Sequence, residues 1–108
     1  MVRSLAGPLG PLFLLVEPLH AQPAVAQVDI RDHRFQPERL VVKVGSTVRW
    51  VNAERRTTHS VLFTGAAGFE SERLFPGDAY ERRFLAPGEY PYLCGPHPDM
   101  RGLVVVEG

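Results

Sequence analysis

Short apolar segments separated by regularly spaced turn signals run through the chain after residue 27. Turns are marked by Gly45-Ser46, Pro76-Gly77-Asp78 and Pro87-Gly88, and no stretch between them carries a helical period of useful length. Short strands separated by turns about every eight to twelve residues are typical of antiparallel sandwiches and barrels. The pattern therefore predicts a single all-β domain.

The predicted strands lie where β-branched and aromatic residues alternate with polar residues. In residues 47–52, Val48 and Trp50 fall on one face of a strand and Val51 falls on the other. Residues 66–74 predict a loop or a short helical turn. The remaining predicted strands are the segment around Val28 and Ile30, and residues 40–44, 59–63, 80–85, 90–94 and 102–107.

The first 26 residues differ from the rest and have the three-part form of an export signal. Arg3 precedes an apolar run at residues 5–16, and the small residues Ala24-Val25-Ala26 precede a possible cleavage site. The run is shorter than the ~20 apolar residues that a transmembrane helix needs. We therefore expect residues 1–26 to be a cleaved export signal and residues 27–108 to be a periplasmic domain. A retained anchor, a disordered tail and an incorrect start codon are the alternatives.

The charge and cysteine content exclude several classes of protein. The chain has 12 Lys and Arg residues against 12 Asp and Glu residues. Proteins that neutralise nucleic-acid phosphates are normally basic, so a nucleic-acid partner is not expected, and the balance gives no sign of a polybasic membrane patch. The single Cys rules out an intrachain disulfide, which leaves an intermolecular partner, a free thiol or a metal ligand.

The only cysteine lies in the segment CGPHPDM, in which Cys94, His97 and Met100 have the spacing C-x-x-H-x-x-M. A blue copper centre needs one thiolate, two imidazoles and a weak axial thioether, and this segment supplies all of them except one imidazole. His59, at the start of a predicted strand, is the natural source of the second imidazole. Structural zinc sites rarely use a thioether, so the donor set favours one copper ion.

Each of these residues also has an ordinary structural interpretation. Taken alone, Cys94 could be a small buried hydrophobe, His97 a loop residue and Met100 a core residue. A Cys–His nucleophilic pair would need an orienting side chain and a substrate cleft, for which so short a chain has little room, so an enzyme is not expected. His33 is interpreted as a solvated strand residue.

Several segments resemble the cupredoxin family of type 1 blue copper proteins. They are FQP at 35–37, GSTVRWVN at 45–52, GEYPYLC at 88–94, CGPHPDM at 94–100 and RGLVVVE at 101–107. The short ligand loop is most similar to that of the amicyanin group, with plastocyanins and pseudoazurins more distant. The resemblance implies a cupredoxin-like Greek-key β-sandwich of seven or eight strands that binds one copper ion through His59, Cys94, His97 and Met100.

The sequence departs from the family pattern beside the ligands. Ser60 follows the upstream His where the family usually has Asn, Gly95 follows the Cys where Thr or Ser is common, and Thr58 replaces the usual Pro. The backbone N–H of Ser60 can still donate to the Cys94 sulfur, because that contact needs no side chain. We therefore expect the site to form with a less tightly braced ligand loop.

Two classes of function fit such a copper site. One is a small soluble periplasmic carrier that shuttles single electrons, and the other is a protein that delivers or buffers copper without a redox role. Delivery proteins usually have Met- or His-rich tracts, which this sequence lacks, so we favour the carrier.

We expect a monomer without membrane insertion of the mature chain. Redox partners such as a dehydrogenase or a c-type cytochrome would dock near His97, Pro96 and Pro98. The pairs Arg55-Arg56 and Arg82-Arg83 are interpreted as solvated, with docking as the alternative.

Overall fold

The structure is a computed structural model that describes residues 24–66 and 68–108. This part of the chain contains nine strands. Their bounds are β1 Val25–Arg31, β2 Arg34–Gln36, β3 Arg39–Lys43, β4 Thr47–Asn52, β5 Leu62–Phe63, β6 Phe69–Glu70, β7 Ala79–Arg83, β8 Gly88–Leu93 and β9 Arg101–Glu107. No helix within the described ranges is long and apolar enough to cross a lipid bilayer.

The strands form two sheets that enclose the core as the layers of a sandwich. One sheet has the order β2-β1-β4-β7 and the other has the order β3-β9-β8-β5-β6. β1 lies parallel to β4 and β3 lies parallel to β9, whereas the other described pairs are antiparallel. The parallel pairs arise because the chain enters the second sheet as β3 before it returns to the first as β4. The all-β sandwich is confirmed. The described residues form nine strands in place of the predicted seven or eight, and the sheets are mixed rather than wholly antiparallel.

The core is built from alternate residues of the strands, because successive side chains of a strand point to opposite faces. On β4, Val48, Trp50 and Asn52 are buried while the residues between them are partly exposed, as the alternation predicted. The Trp50 ring makes edge contacts with Phe63 and Tyr92 of the opposite sheet, at centroid distances of 5.9 and 5.4 Å. This aromatic cluster joins the two sheets.

The predicted strands correspond to β1, β3, β4, β5, β7, β8 and β9. β2 has three residues and β6 has two, which is too short for alternation to reveal them. The described residues of 66–74 form a loop that contains β6, so the loop is observed there and the helical turn is not. In 59–63 only Leu62–Phe63 is a strand, and His59 makes an isolated bridge to Leu74.

Most of the predicted export signal, residues 1–23, lies outside the described residues. The last three residues of the predicted signal, 24–26, belong to the fold, and the Ala24 carbonyl accepts a 3.0 Å hydrogen bond from the Thr47 N–H. Val25 and Ala26 pair with Thr47 and Val48 in the sheet. Cleavage therefore stays a prediction, and a cut after Ala26 would remove these contacts from β1.

A close contact between β8 and β9 anchors the loop that joins them. Tyr92 and Gly102 are register partners in this antiparallel pair. A Cβ atom on Gly102 would collide with the Tyr92 ring, which is only 2% exposed and has little room to move. The same burial raises the pKa of the Tyr92 hydroxyl to about 12. Glycine at 102 therefore allows the ring to lie across β9 beside the loop.

We predict that Gly102→Ala lowers the free energy of unfolding by roughly 1–3 kcal/mol, because overpacking a filled core forces side chains to shift. Gly65→Ala is the matched control, since a Cβ atom there meets nothing within 4 Å. Chemical denaturation of both metal-free variants measures the difference. Equal stability of the two variants would contradict the packing argument.

Candidate metal centre

The loop between β8 and β9 carries the C-x-x-H-x-x-M motif. Leu93 pairs with Arg101, so residues 94–100 form the hairpin connection. The Cys94 N–H donates to the Met100 carbonyl at 3.1 Å, and the Met100 N–H donates to the His97 carbonyl at 2.9 Å. Cys94 and Met100 are buried at the two ends of this loop, whereas His97 is half-buried near its exposed tip. The two ends of the motif, Cys94 and Met100, therefore lie inside the protein, and its centre, His97, lies near the surface.

His59 reaches the same place from the connection between β4 and β5. Its backbone is fixed by a two-way bridge, in which its N–H donates to the Leu74 carbonyl at 3.1 Å and its own carbonyl accepts from the Leu74 N–H at 2.7 Å. Its side chain is fully buried. The ring places Nδ1 3.4 Å from the Cys94 Sγ.

The donor atoms of His59, Cys94 and His97 all lie within 4.8 Å of one another. The His97 Nδ1 is 3.6 Å from the Cys94 Sγ, close to the separation for His59. Donors bound to one ion at about 2.0–2.3 Å in a trigonal plane lie about 3.5 Å apart. These three side chains therefore fit a single metal ion. Met100 is buried at the end of the same loop and supplies a thioether to this region.

The Cys94 sulfur is enclosed by protein. Burial raises the pKa of its thiol, and the N–H groups that face the sulfur offset part of that rise. One of them, the Ser60 N–H, lies 3.5 Å from Sγ and confirms the predicted contact. Since a metal binds the thiolate, metal uptake at neutral pH must release the thiol proton.

A carboxylate beside His59 was not anticipated from the sequence. Glu54 Oε2 lies 3.1 Å from His59 Nε2 and accepts a 3.0 Å hydrogen bond from the His33 N–H. Burial tends to raise the pKa of Glu54, but the hydrogen bonds from His33 and His59 hold it below its usual value. Because a carboxylate only accepts, His59 carries its proton on Nε2, which leaves Nδ1 free to bind a metal.

His33 also lies at the site, and its interpretation as a strand residue is wrong. It occupies the turn between β1 and β2 with a φ of 55°, in the left-handed region. Its exposed ring meets the His97 ring edge-on at a centroid distance of 4.9 Å and the His59 ring at 5.5 Å. Only the tertiary structure brings this turn to the ligand loop. The sequence signal was limited to Asp32-His33, residue types that tolerate such turns.

Comparisons with known proteins agree with this geometry. The model of the cupredoxin-like domain matches residues 8–106. The chain belongs to this family of β-sandwich proteins. It is 40% identical over 85 residues to amicyanin-alpha of Methylorubrum extorquens, an alignment that covers 75% of this chain and 71% of that protein.

Two further comparisons point to the same group. Amicyanin of Paracoccus denitrificans is 42% identical over 84 residues, covering 74% of this chain and 63% of that protein. A methionine-to-alanine variant of amicyanin with Cu(I) superposes with a TM-score of 0.74 at 38% identity, covering 77% of this chain and 82% of that one. Plastocyanins match at lower identity, so the predicted order of amicyanin before plastocyanin is confirmed. With the donor set of one thiolate and two imidazoles, the site fits a type 1 copper ion.

A backbone donor braces the ligand loop in place of a side chain at position 95. Ser60 Oγ accepts a 2.9 Å hydrogen bond from the Gly95 N–H, so the two ligand segments are joined without a side chain at position 95. The sequence suggested the contact of the Ser60 N–H with the Cys94 sulfur, but it did not suggest the Gly95 N–H as a second donor between the two segments.

We predict that Glu54→Ala weakens copper binding by about 10- to 100-fold, the usual effect of removing the hydrogen-bond partner of a metal-ligating His. Glu54→Gln should lose less, because its amide oxygen can still accept from His59 Nε2. Glu89→Ala, a change of an exposed glutamate on β8, is the control. Competition titration with a copper chelator measures the affinities, and wild-type affinity in Glu54→Ala would contradict the role of the carboxylate.

Proposed function

We propose that this chain is an electron carrier, not an enzyme, that holds one copper ion through His59, Cys94 and His97 with Met100 as the weak axial ligand. The observation that carries the proposal is the convergence of two imidazole nitrogens on one buried sulfur, at 3.4 and 3.6 Å. When bound there, copper would supply one-electron chemistry through its Cu(I) and Cu(II) states.

The burial of the donors supports electron transfer over substrate chemistry. His59 and Cys94 are fully buried, and Met100 is 5% exposed. Such donors leave little access for a substrate to reach a bound ion. Their backbones are held by the hydrogen bonds of the hairpin and of the His59–Leu74 bridge. A frame that holds its ligands in place limits atomic movement between oxidation states, which favours fast electron exchange.

His97 is the natural exit for electrons, because it is the half-buried donor on the outward face of the loop. Pro96 and Pro98 flank it, and neither can donate a backbone N–H. His33 extends this surface on one side through its contact with the His97 ring. We infer that a redox partner, such as a dehydrogenase or a c-type cytochrome, docks over His97, Pro96 and Pro98. A contact of this kind would be small and release readily.

Local charge can steer the encounter of a protein whose formal net charge is zero. A cleft of about 530 Å³ is lined by three arginines, Arg31, Arg55 and Arg56, and by two acidic residues, Asp32 and Glu54. The excess of positive over negative charge in this lining would raise the rate of association with an acidic partner surface. This placement supports the docking interpretation of Arg55-Arg56.

The proposal includes export to the periplasm and a monomeric folded domain. It rests on the signal-like composition of residues 1–26 and on the resemblance to the carriers named above. Because β1 begins at Val25, a cut upstream of that residue would leave every β1 pair intact.

We predict that Cys94→Ser abolishes the intense visible absorption of the Cu(II) protein, because that charge-transfer band requires the thiolate. Met100→Leu should retain copper and colour but raise the reduction potential, since loss of the axial thioether disfavours Cu(II) more than Cu(I). Optical titration and redox titration measure the two effects. Complete loss of copper from Met100→Leu would show that this residue is not a weak axial ligand.

We also predict that Pro98→Asp slows electron transfer to the physiological partner while leaving the copper spectrum nearly unchanged. A carboxylate in an apolar contact must be desolvated on docking. Pro87→Asp is the matched control, since Pro87 is an exposed proline just before β8, roughly 20 Å from the loop at about 3.3 Å per strand residue. Stopped-flow kinetics compares the variants, and equal rates would place the docking surface elsewhere.

A further inference from the structure

A continuous hydrogen-bonded path runs from β6 to the ligand loop. The Gly95 N–H donates to Ser60 Oγ at 2.9 Å, and the Ser60 hydroxyl donates to Glu70 Oε2 at 2.7 Å. Ser60 is fully buried, whereas Glu70 lies on β6 at the surface. The path therefore connects an exposed carboxylate to the residue that follows Cys94.

The direction of each hydrogen bond in this path is fixed by chemistry. The Gly95 amide can only donate, so Ser60 Oγ must accept from it, and the carboxylate of Glu70 can only accept. The single hydroxyl proton of Ser60 therefore points at Glu70. That contact holds the hydroxyl in the one rotation that turns a lone pair toward Gly95. A hydrogen bond from a hydroxyl to a charged carboxylate is shorter and stronger than one between two neutral groups. The observed distance of 2.7 Å agrees with this.

The space around Gly95 matches this arrangement. A Cβ atom at position 95 would collide with the Glu70 carboxylate and would lie 2.7 Å from Ser60 Oγ. Glu70 thus occupies the volume that a side chain after the cysteine would fill. The absence of a side chain at 95 and the carboxylate at 70 are complementary features of this chain.

We propose that Glu70 is a positioning residue for the metal centre and acts through Ser60. By orienting the hydroxyl, it ties the Gly95 amide to the segment that carries His59, and so fixes Cys94 Sγ beside His59 Nδ1. Ser60 contributes twice, because its own N–H also faces Cys94 Sγ. The identity of the metal rests on the proposed function, but the brace itself consists of residues of the metal-free protein.

Glu70 could instead act directly, through its negative charge near the Cys94 sulfur. The two roles separate in Glu70→Gln, which removes the charge but keeps an oxygen that accepts from the Ser60 hydroxyl. A double-mutant cycle of Glu70→Ala and Ser60→Ala distinguishes the two roles a second time. An effect transmitted through Ser60 disappears once Ser60 is Ala, whereas a direct effect of charge persists.

The test measures hydrogen exchange of the Gly95 amide by NMR in the metal-free protein. Ser60→Ala should accelerate exchange about tenfold, the scale of one lost hydrogen bond. Glu70→Ala should accelerate exchange less than Ser60→Ala does, and Glu70→Gln should exchange at nearly the wild-type rate. The double variant Ser60→Ala with Glu70→Ala should exchange at the same rate as Ser60→Ala alone. Glu72→Ala, a neighbouring exposed glutamate, is the control and should leave exchange unchanged.

Copper-loaded variants provide an independent readout. The reduction potential and the charge-transfer band should shift in Glu70→Ala and Ser60→Ala but stay close to wild type in Glu70→Gln and Glu72→Ala. A wild-type exchange rate of the Gly95 amide in Glu70→Ala would overturn the positioning role. So would an acceleration in Glu70→Gln equal to that in Glu70→Ala. If buried Ser60→Ala does not fold, the surface variants of Glu70 still decide the question. Failure to bind copper would refute the proposed function and leave the exchange result standing.

Discussion

The antiparallel pairing of β8 with β9 is the constraint on which the metal centre depends. Because Leu93 lies opposite Arg101, the chain must turn within residues 94–100, and the turn is closed by the Cys94–Met100 backbone contact. Strand alternation then buries Cys94 on the same side as Tyr92. The Tyr92–Gly102 contact holds the base of this hairpin against the aromatic core. The sulfur is therefore placed by sheet geometry before any metal arrives.

The other ligand segment has no strand of its own at His59, and polar contacts position it instead. One contact is the backbone bridge to Leu74, and a second is the carboxylate of Glu54 on Nε2. A third is the brace through Ser60, which joins this segment to the hairpin. Buried polar groups without partners are costly, so these hydrogen bonds favour one arrangement of the imidazole over its alternatives. Two carboxylates take part: Glu54 holds the proton of His59 on Nε2, and Glu70 holds the hydroxyl proton of Ser60.

The site changes from buried to exposed across a few ångströms. His59 and Cys94 are enclosed, His97 is half-buried, and His33 is 56% exposed at the side chain. A metal ion held by these donors would be enclosed, with one imidazole near the surface, which is the arrangement that the proposed electron carrier needs. In the cleft at Glu54, three arginines outnumber two acidic residues, so charge is unevenly distributed here although the composition is neutral.

The sequence by itself determined the all-β class, most strands, and the donor types, because alternation and the C-x-x-H-x-x-M spacing are local properties of the chain. It did not reveal β2 or β6, because neither lies in an apolar or alternating run long enough to indicate a strand. Nor did it place His33, Glu54 and Glu70 around the site, because these residues meet the ligands only after the strands pair. It also missed the hydrogen bond that braces the ligand loop, because the acceptor for the Gly95 N–H lies 35 residues away in the chain, at Ser60. Local pattern can specify which atoms bind a metal, but long-range packing decides which protons and charges surround them.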